Sequence, residues 1–209
     1  MLRRAQFCVC SVWSSFCQEW ILAELSSRHY VIVHGYTANP EANWFPWLRE
    51  QLERAGARVS VPAMPSPHAP VTESWDATLR DLLPRLSDDV VLIGHSLGCI
   101  TILRYLMSRP PAETAGGYVL VSGFDRRLST LPELEAFTDI ALDYDALRRR
   151  AAFRVSVFSD NDAIVDPSVS RDLAKALRTE VMEIPGGGHF LDREGYGSFP
   201  ELSGLLLTQ

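Results

Sequence analysis

Two patterns of hydrophobic and polar positions alternate along this chain from residue 29 onward. Short apolar runs of strand length are followed by longer segments in which apolar residues recur every three or four positions, the spacing of an amphipathic helix. The pattern predicts strands at 29–33, 57–61, 90–93, 117–122, 153–159 and 180–184, and helices at 44–55, 71–86, 99–108, 132–150, 167–177 and 199–207. Strands that alternate with helices form a parallel sheet with helices on both faces. We therefore predict a compact α/β fold with a mostly parallel, six-stranded sheet.

The most abrupt change of pattern falls at Gly94-His95-Ser96-Leu97-Gly98, where a strand-length apolar run stops and a helical pattern begins at once. Such a corner usually forces its central residue to a positive φ, and glycines on either side avoid a clash between strand and helix. Ser96 would then stand at the tip, beside the N–H donors of a helix N-terminus. Ser96 is therefore a candidate nucleophile. The alternative is a glycine-rich connection whose serine only caps the helix.

A nucleophilic serine needs a neutral imidazole to take its proton and a carboxylate to orient that imidazole. Loops that follow parallel strands gather at one rim of the sheet, and on such sheets the acid precedes the histidine in the chain. His189 is the only histidine after Ser96, in a glycine-rich loop just past the strand at 180–184. We predict that His189 is the base, against the alternative of a loop histidine satisfied by water.

The acid is expected in the loop after the strand at 153–159, which offers three carboxylates. Asp160 and Asp166 stand beside Asn and Pro, where aspartate often forms a turn or caps a helix. Asp162 is the preferred candidate, and Asp160 remains the alternative.

These motifs resemble those of the α/β-hydrolase superfamily. More narrowly, the chain from residue 28 onward resembles the small serine hydrolases related to retinoblastoma-binding protein nine, through His34-Gly35-Tyr36, Trp44-Phe45-Pro46-Trp47-Leu48, Met64-Pro65-Ser66-Pro67, Gly94-His95-Ser96 and Gly188-His189-Phe190. The resemblance implies Ser96 as nucleophile, His189 as base and Asp162 as acid, the last because it precedes Ile164-Val165. The chain departs from that family at Ala163, where proline is frequent, and in residues 1–27, which the family lacks.

The resemblance also bears on the residues around the nucleophile. The oxyanion hole is expected to use the backbone N–H of Leu97 and, from the family pattern, that of Tyr36. Trp44, Met64 and Phe124 are candidates for the wall of a substrate pocket, with core packing as an equally good alternative.

Composition limits the other classes of function. At 209 residues and 46% apolar content the chain can form one core domain, and its net charge of −6 comes from interspersed charges. The short basic clusters, such as Arg148-Arg149-Arg150, indicate a solvated helix face rather than a nucleic-acid footprint. No apolar run approaches the roughly 20 residues of a membrane span, and the Cys and His spacings match no metal motif. We expect no cofactor, no metal and no nucleic-acid or membrane partner. The sequence indicates no protein partner, and we expect a cytoplasmic location.

Residues 1–27 differ from the rest of the chain. They hold Cys8, Cys10 and Cys17, three of the four cysteines, and lack strand alternation. A targeting peptide is the less favoured interpretation, because serines interrupt the apolar stretch that follows Arg3-Arg4. We predict an N-terminal extension outside a hydrolase domain at 28–209.

The sequence thus predicts a carboxylesterase-like or peptidase-like serine hydrolase that cleaves a small ester or amide through an acyl-enzyme on Ser96. The alternative is a protein-binding module on a hydrolase scaffold with weak or no catalysis. The connection at 125–152 has room for about one helix, so little or no cap and a preference for short acyl chains are expected.

Overall fold

Six parallel strands form the centre of the protein, whose structure is a computed structural model that describes residues 26–208. The predicted N-terminal extension therefore lies almost wholly outside the described residues. The strands lie side by side in the order β2-β1-β3-β4-β5-β6. Their bounds are β1 (His29–Val33), β2 (Arg58–Ser60), β3 (Val90–His95), β4 (Ala115–Val121), β5 (Ala151–Ser159) and β6 (Glu180–Ile184). The predicted parallel six-stranded sheet is confirmed.

Helices connect successive strands and cover both faces of this sheet. They are α1 (Phe45–Arg54), α2 (Thr72–Leu82), α3 (Leu97–Ser108), α4 (Glu135–Thr138), α5 (Tyr144–Arg149), α6 (Pro167–Leu177) and α7 (Pro200–Leu207), with short 3₁₀ helices at Pro132–Leu134 and Asp192–Glu194. Within residues 26–208, none of these helices combines the length and the apolar character that a membrane crossing requires.

The core is divided by the sheet into two layers. Val31, Val33 and Leu92 pack with the apolar faces of α2 to α6 on one side, which we call the α3 face. The alternate residues Tyr30 and Ile32 pack with α1 and α7 on the other side, the α1 face. Because side chains alternate along a strand and both faces are covered, the central strands read as continuous apolar runs.

The segment between β4 and β5 corrects one prediction. The helix expected over 132–150 is broken at 139–143 into a 3₁₀ turn, α4 and α5. Asp143 starts α5 by accepting a hydrogen bond from the Ala146 N–H at 2.9 Å. Leu134 and Leu147 still pack into the α3 face. Helical spacing thus identified the buried face of this segment, but aspartate's preference for an N-cap interrupted the helix.

Arg150 corrects a second expectation, that the arginine cluster is a solvated face. Its side chain is buried and its guanidinium donates to the carbonyl oxygens of Arg109, Pro110 and Glu113. It therefore anchors the turn between α3 and β4. The sequence alone does not show which of three consecutive arginines is buried and donates to backbone carbonyls instead of to water.

Candidate active site

Ser96 lies at the corner between β3 and α3 with φ 53° and ψ −116°. A positive φ is unfavourable for a residue with a Cβ and persists only where the surroundings impose it. Here the Ser96 N–H donates to the Val121 carbonyl at 2.9 Å, and the Cys99 N–H donates to the Ser96 carbonyl at 2.9 Å. The Ser96 side chain makes no capping hydrogen bond to α3. The alternative that this serine serves as a helix cap is therefore not supported.

The two glycines of the corner allow α3 to start directly against the sheet. A Cβ on Gly98 would lie 2.0 Å from the Val33 carbonyl oxygen, and one on Gly94 would lie 2.7 Å from the Cys99 nitrogen. Real Cβ atoms do not approach backbone atoms so closely. The Gly-x-Ser-x-Gly spacing is thus a packing requirement between β1, β3 and α3.

Asp162 and His189 meet at the same rim, after β5 and β6. The His189 Nδ1–H donates to Asp162 Oδ2 at 2.7 Å, and Oδ1 accepts from the N–H groups of Ile164 at 2.8 Å and Val165 at 3.0 Å. Burial alone would raise the Asp162 pKa. The hydrogen bond from His189, together with the two N–H groups, outweighs burial and holds that pKa below its usual 3.8. An ionised Asp162 fixes the Nδ1–H tautomer and leaves Nε2 free to accept a proton.

The other two aspartates of the loop have different partners. Asp160 is exposed and its Oδ1 accepts from the Gly186 N–H at 2.7 Å. Asp166 caps α6 by accepting from the Ser168 N–H at 2.8 Å. The structure therefore brings Asp162, and neither of its neighbours, to His189.

The histidine loop, residues 185–190, is held by side chains from outside it. Asn161 Oδ1 accepts from the Gly188 N–H at 2.7 Å, and Glu194 Oε2 accepts from the N–H groups of His189 at 2.8 Å and Leu191 at 3.0 Å. Sequence reasoning missed Glu194. Its only signal was a glutamate at the third position of a capping box, a signal hidden because Leu191 stands where Ser or Thr is usual.

His95 links the corner to the histidine loop. Its Nε2–H donates to the His189 carbonyl at 2.9 Å, and the two rings lie 5.0 Å apart between centroids. Burial, with the neighbouring His189 as a second cause, lowers the pKa of His95 to about 3. Its Nδ1 has no hydrogen-bond partner among the described residues. His95 is therefore neutral and contributes a hydrogen bond rather than a charge.

His34 is the other histidine of the rim, and its two ring nitrogens are both occupied. Nδ1–H donates to the Gly35 carbonyl at 2.9 Å, and Nε2 accepts from the Met64 N–H at 3.1 Å. Burial lowers its pKa. His34 thus secures the loop after β1 and has no free nitrogen for chemistry.

The two N–H groups expected to form the oxyanion hole have no hydrogen-bond acceptor in the described part of the chain. Within residues 26–208, neither the Tyr36 N–H nor the Leu97 N–H donates to a protein acceptor, whereas the Ser96 N–H is engaged with Val121. The loop carrying Tyr36 passes close to the corner, since a Cβ on Gly35 would lie 3.1 Å from Ser96 Cβ.

A pocket of about 340 Å³ opens over this site. Ser96 and His189 line it together with Tyr36, small residues of the loop after β1, Leu131, Ile164, and Asp192 and Arg193 of the second 3₁₀ helix. Trp44, Met64 and Phe124 do not line it. All three are buried, Trp44 in the α1 face and the other two in the α3 face. For these three residues the structure favours the core-packing alternative.

In the described part of the chain, no group of three or more His, Cys, Asp and Glu side chains is placed to hold a metal ion. The chemistry available at this rim is that of a serine hydroxyl, an imidazole, a carboxylate and two N–H donors. The parallel sheet and the corner at Ser96 define a member of the α/β-hydrolase superfamily.

Comparison with known proteins narrows this class. Residues 30–208 match the family described as Serine hydrolase, and the chain belongs to that family. It is 38% identical over 182 residues to the YdeN protein of Bacillus subtilis (strain 168). The aligned residues make up 87% of this chain and 96% of that protein.

Solved structures show the same architecture. The B. subtilis ydeN gene product superposes with a TM-score of 0.84 at 37% identity, over 87% of this chain and 97% of the other. A YdeN-like protein from Pectobacterium atrosepticum gives 0.67 at 18% identity, over 91% and 95% of the two chains. A structure from work on carboxylesterases of Nitrososphaera gargenis gives 0.67 at 14% identity, over 88% and 90%. The last two likenesses concern the fold alone.

Proposed function

We propose that this protein hydrolyses carboxylic esters or amides through an acyl-enzyme on Ser96. The observation that carries the proposal is the buried 2.7 Å hydrogen bond between Asp162 and His189, beside a pocket that also contains Ser96. A buried imidazole that is hydrogen-bonded to a carboxylate, next to a serine forced into positive φ, is the arrangement that activates a hydroxyl.

In the proposed first half-reaction, Ser96 Oγ attacks the carbonyl carbon of the substrate while its proton passes to His189 Nε2. The carbonyl oxygen becomes an oxyanion, and the N–H groups of Tyr36 and Leu97 are free to receive it. Collapse of the tetrahedral intermediate breaks the bond to the leaving group, which takes the proton from His189. The acyl group remains on Ser96.

In the second half-reaction a water molecule replaces the leaving group. His189 accepts a proton from the water as the oxygen attacks the acyl carbon. The bond between the acyl carbon and Ser96 Oγ then breaks, His189 returns the proton to Oγ, and the carboxylic acid leaves. Asp162 stays ionised throughout and stabilises the imidazolium that forms in each half-reaction. Its two backbone N–H donors keep it oriented without consuming the oxygen that faces His189.

An ester of a short acyl group is the substrate class that fits the pocket best. The pocket holds about 340 Å³, and the connection between β4 and β5 packs its apolar side chains on the α3 face rather than forming a large lid.

Labelling with a fluorophosphonate probe tests the nucleophile. We expect wild-type protein to react covalently, and Ser96→Ala and His189→Ala to lose labelling and p-nitrophenyl ester hydrolysis while unfolding at the wild-type temperature. Because the groups act as one unit, each single variant should lose nearly as much activity as the double variant. Labelling of Ser96→Ala would remove Ser96 as nucleophile. A folded wild type without labelling or hydrolysis would favour the protein-binding module instead.

Rates on p-nitrophenyl esters of increasing length test the substrate class. Activity should peak at short acyl chains and rise smoothly with concentration through the solubility limit. A preference for long chains with activation by micelles would show that a lid operates over this site.

A further inference from the structure

A second pocket of about 330 Å³ shares Ile164 with the first one. It is bordered by Thr130 and Val169, by the charged residues Arg127 and Asp166, and by Asp162 of the acid loop. Nothing in the proposed reaction uses this space. Its position is informative because Ile164 lines both pockets.

The partition between the two pockets consists of very few side chains. Ile164 lines both pockets, Leu131 lines the first, and the adjacent Thr130 lines the second. The Thr130 hydroxyl donates to the Ile164 carbonyl at 2.6 Å, which ties the two segments together. Ile164 and Leu131 are both partly buried and pack against the α3 face. We call the pair Leu131 and Ile164 the partition.

We propose that the partition sets the acyl-chain length that the site accepts, by closing the acyl pocket against the second pocket. This inference rests on the proposed ester hydrolysis. An acyl chain that enters beside Ser96 ends against Ile164 and Leu131, and further methylenes have no space. Without the partition the space open to the chain would nearly double, since the two pockets have almost the same volume.

Truncation of a partition side chain removes no hydrogen bond from Asp162. The Ile164 N–H, not its side chain, holds Asp162, and the Leu131 side chain packs against the α3 face. Truncating either side chain to alanine therefore leaves the acid loop its hydrogen bonds. One methylene more or less in an apolar pocket changes selectivity by about 10- to 200-fold, so the effect of opening a whole pocket is measurable.

The decisive experiment compares p-nitrophenyl octanoate with the butyrate ester. For Ile164→Ala and Leu131→Ala we expect the octanoate-to-butyrate ratio of kcat/KM to rise by about tenfold or more over wild type. Leu191→Ala, which enlarges only the first pocket, and Val169→Ala, which enlarges only the second, should change the ratio by about twofold at most. Use of two partition variants on different segments guards against one that fails to fold.

A binding measurement separates this proposal from the proposed chemistry. In a Ser96→Ala background, 2-nonanone and 2-pentanone, the methyl ketones with the octanoyl and butyryl chains, are titrated as neutral analogues of the two esters, with and without Ile164→Ala. Tighter relative binding of 2-nonanone after truncation supports the partition even if no ester is hydrolysed. Ester hydrolysis by wild type with unchanged ester and ketone ratios in both partition variants would overturn the partition and leave the hydrolase standing.

Discussion

The corner that carries Ser96 and the loop that carries His189 are built in opposite ways. The corner is defined by backbone: a positive φ, an N–H donated to Val121, and glycines whose missing Cβ atoms let α3 touch β1. The histidine loop is defined by side chains that reach it from elsewhere, Asp160, Asn161 and Glu194 among them.

This difference has an energetic consequence. A backbone corner has no alternative geometry, so a single added methyl group opposes it with the full repulsion of a buried contact. A loop held by several hydrogen bonds divides its stabilisation among them, each with a net value of about 1 kcal/mol. A single substitution in the corner should therefore cause a large loss of stability. A single substitution that removes one hydrogen bond from the histidine loop should cause a small loss. The following variants test that distinction.

The largest effect is expected at Asp162, the proposed acid, which contacts the histidine loop through His189. Asp162→Asn should lower kcat by about 10⁴ because asparagine favours the wrong imidazole tautomer. Asp160→Asn, two residues away, keeps its acceptor oxygen for the Gly186 N–H and should lose less than about tenfold. Measuring kcat of the two purified variants on one short ester shows which aspartate is the acid. Equal losses of kcat would contradict the assignment of Asp162.

The corner itself is tested next. Gly98→Ala should destabilise the protein by on the order of 3 kcal/mol or more, since the new Cβ meets the Val33 carbonyl and neither backbone can retreat. The matched control is Gly204→Ala in α7, whose Cβ would meet nothing within 4 Å. It should gain about 0.5–1 kcal/mol from helix propensity. Urea unfolding measures both, and a stable, active Gly98→Ala would show that the corner can relax.

His95 joins the two regions and gives a pH dependence. Its folded-state pKa of about 3 lies below the usual 6.5, so its stabilising contribution is complete above pH 6.5 and is lost as the pH falls toward 3. His95→Gln can still donate to the His189 carbonyl but cannot titrate. Relative to its value at pH 7, the variant should keep on the order of 2 kcal/mol more unfolding free energy than wild type at pH 4.5. Parallel stability curves for the two proteins would exclude His95 as the source.

The smallest effect is expected at a single holder of the histidine loop. Glu194→Gln keeps one acceptor oxygen but replaces charge-assisted hydrogen bonds with neutral ones, so kcat should fall by roughly tenfold or less with KM nearly unchanged. Glu201→Gln on α7 is an exposed control and should behave as wild type. A loss of kcat in Glu194→Gln as large as that in Asp162→Asn would mean that the histidine loop depends on Glu194 alone rather than on several hydrogen bonds.

The sequence predicted what is encoded locally. The strand, the Gly-x-Ser-x-Gly corner and the following helix are adjacent in the chain, and the bounds of β1, β6 and α6 were those predicted. Which of Asp160 and Asp162 faces His189 depends on one turn of backbone. The residues favoured Asp162 with Asp160 as the alternative, and the family resemblance implied the same choice. Glu194 was missed because its role depends on contacts made only after folding.

The pocket was the part that sequence reasoning could least predict. Aromatic residues such as Trp44 and Phe124 suit a pocket wall and a core equally well, and both are buried in the core. The actual lining includes Gly35, Ala38 and Ala42, which contribute by leaving space. Absence of bulk has no signature in a single sequence.

β3 leads to Ser96 and β6 leads to the histidine loop, and the two strands occupy different positions in the sheet. The segments that carry the proposed catalytic groups should therefore open with different free energies. β3 lies between β1 and β4 and is buried throughout, whereas β6 pairs only with β5 and exposes half of Val181. Backbone amides of β3 should therefore exchange with deuterium only through global unfolding, and those of β6 and the following loop through cheaper local openings. Mild denaturant would then disengage the imidazole first and abolish turnover while Ser96 still stands at its corner.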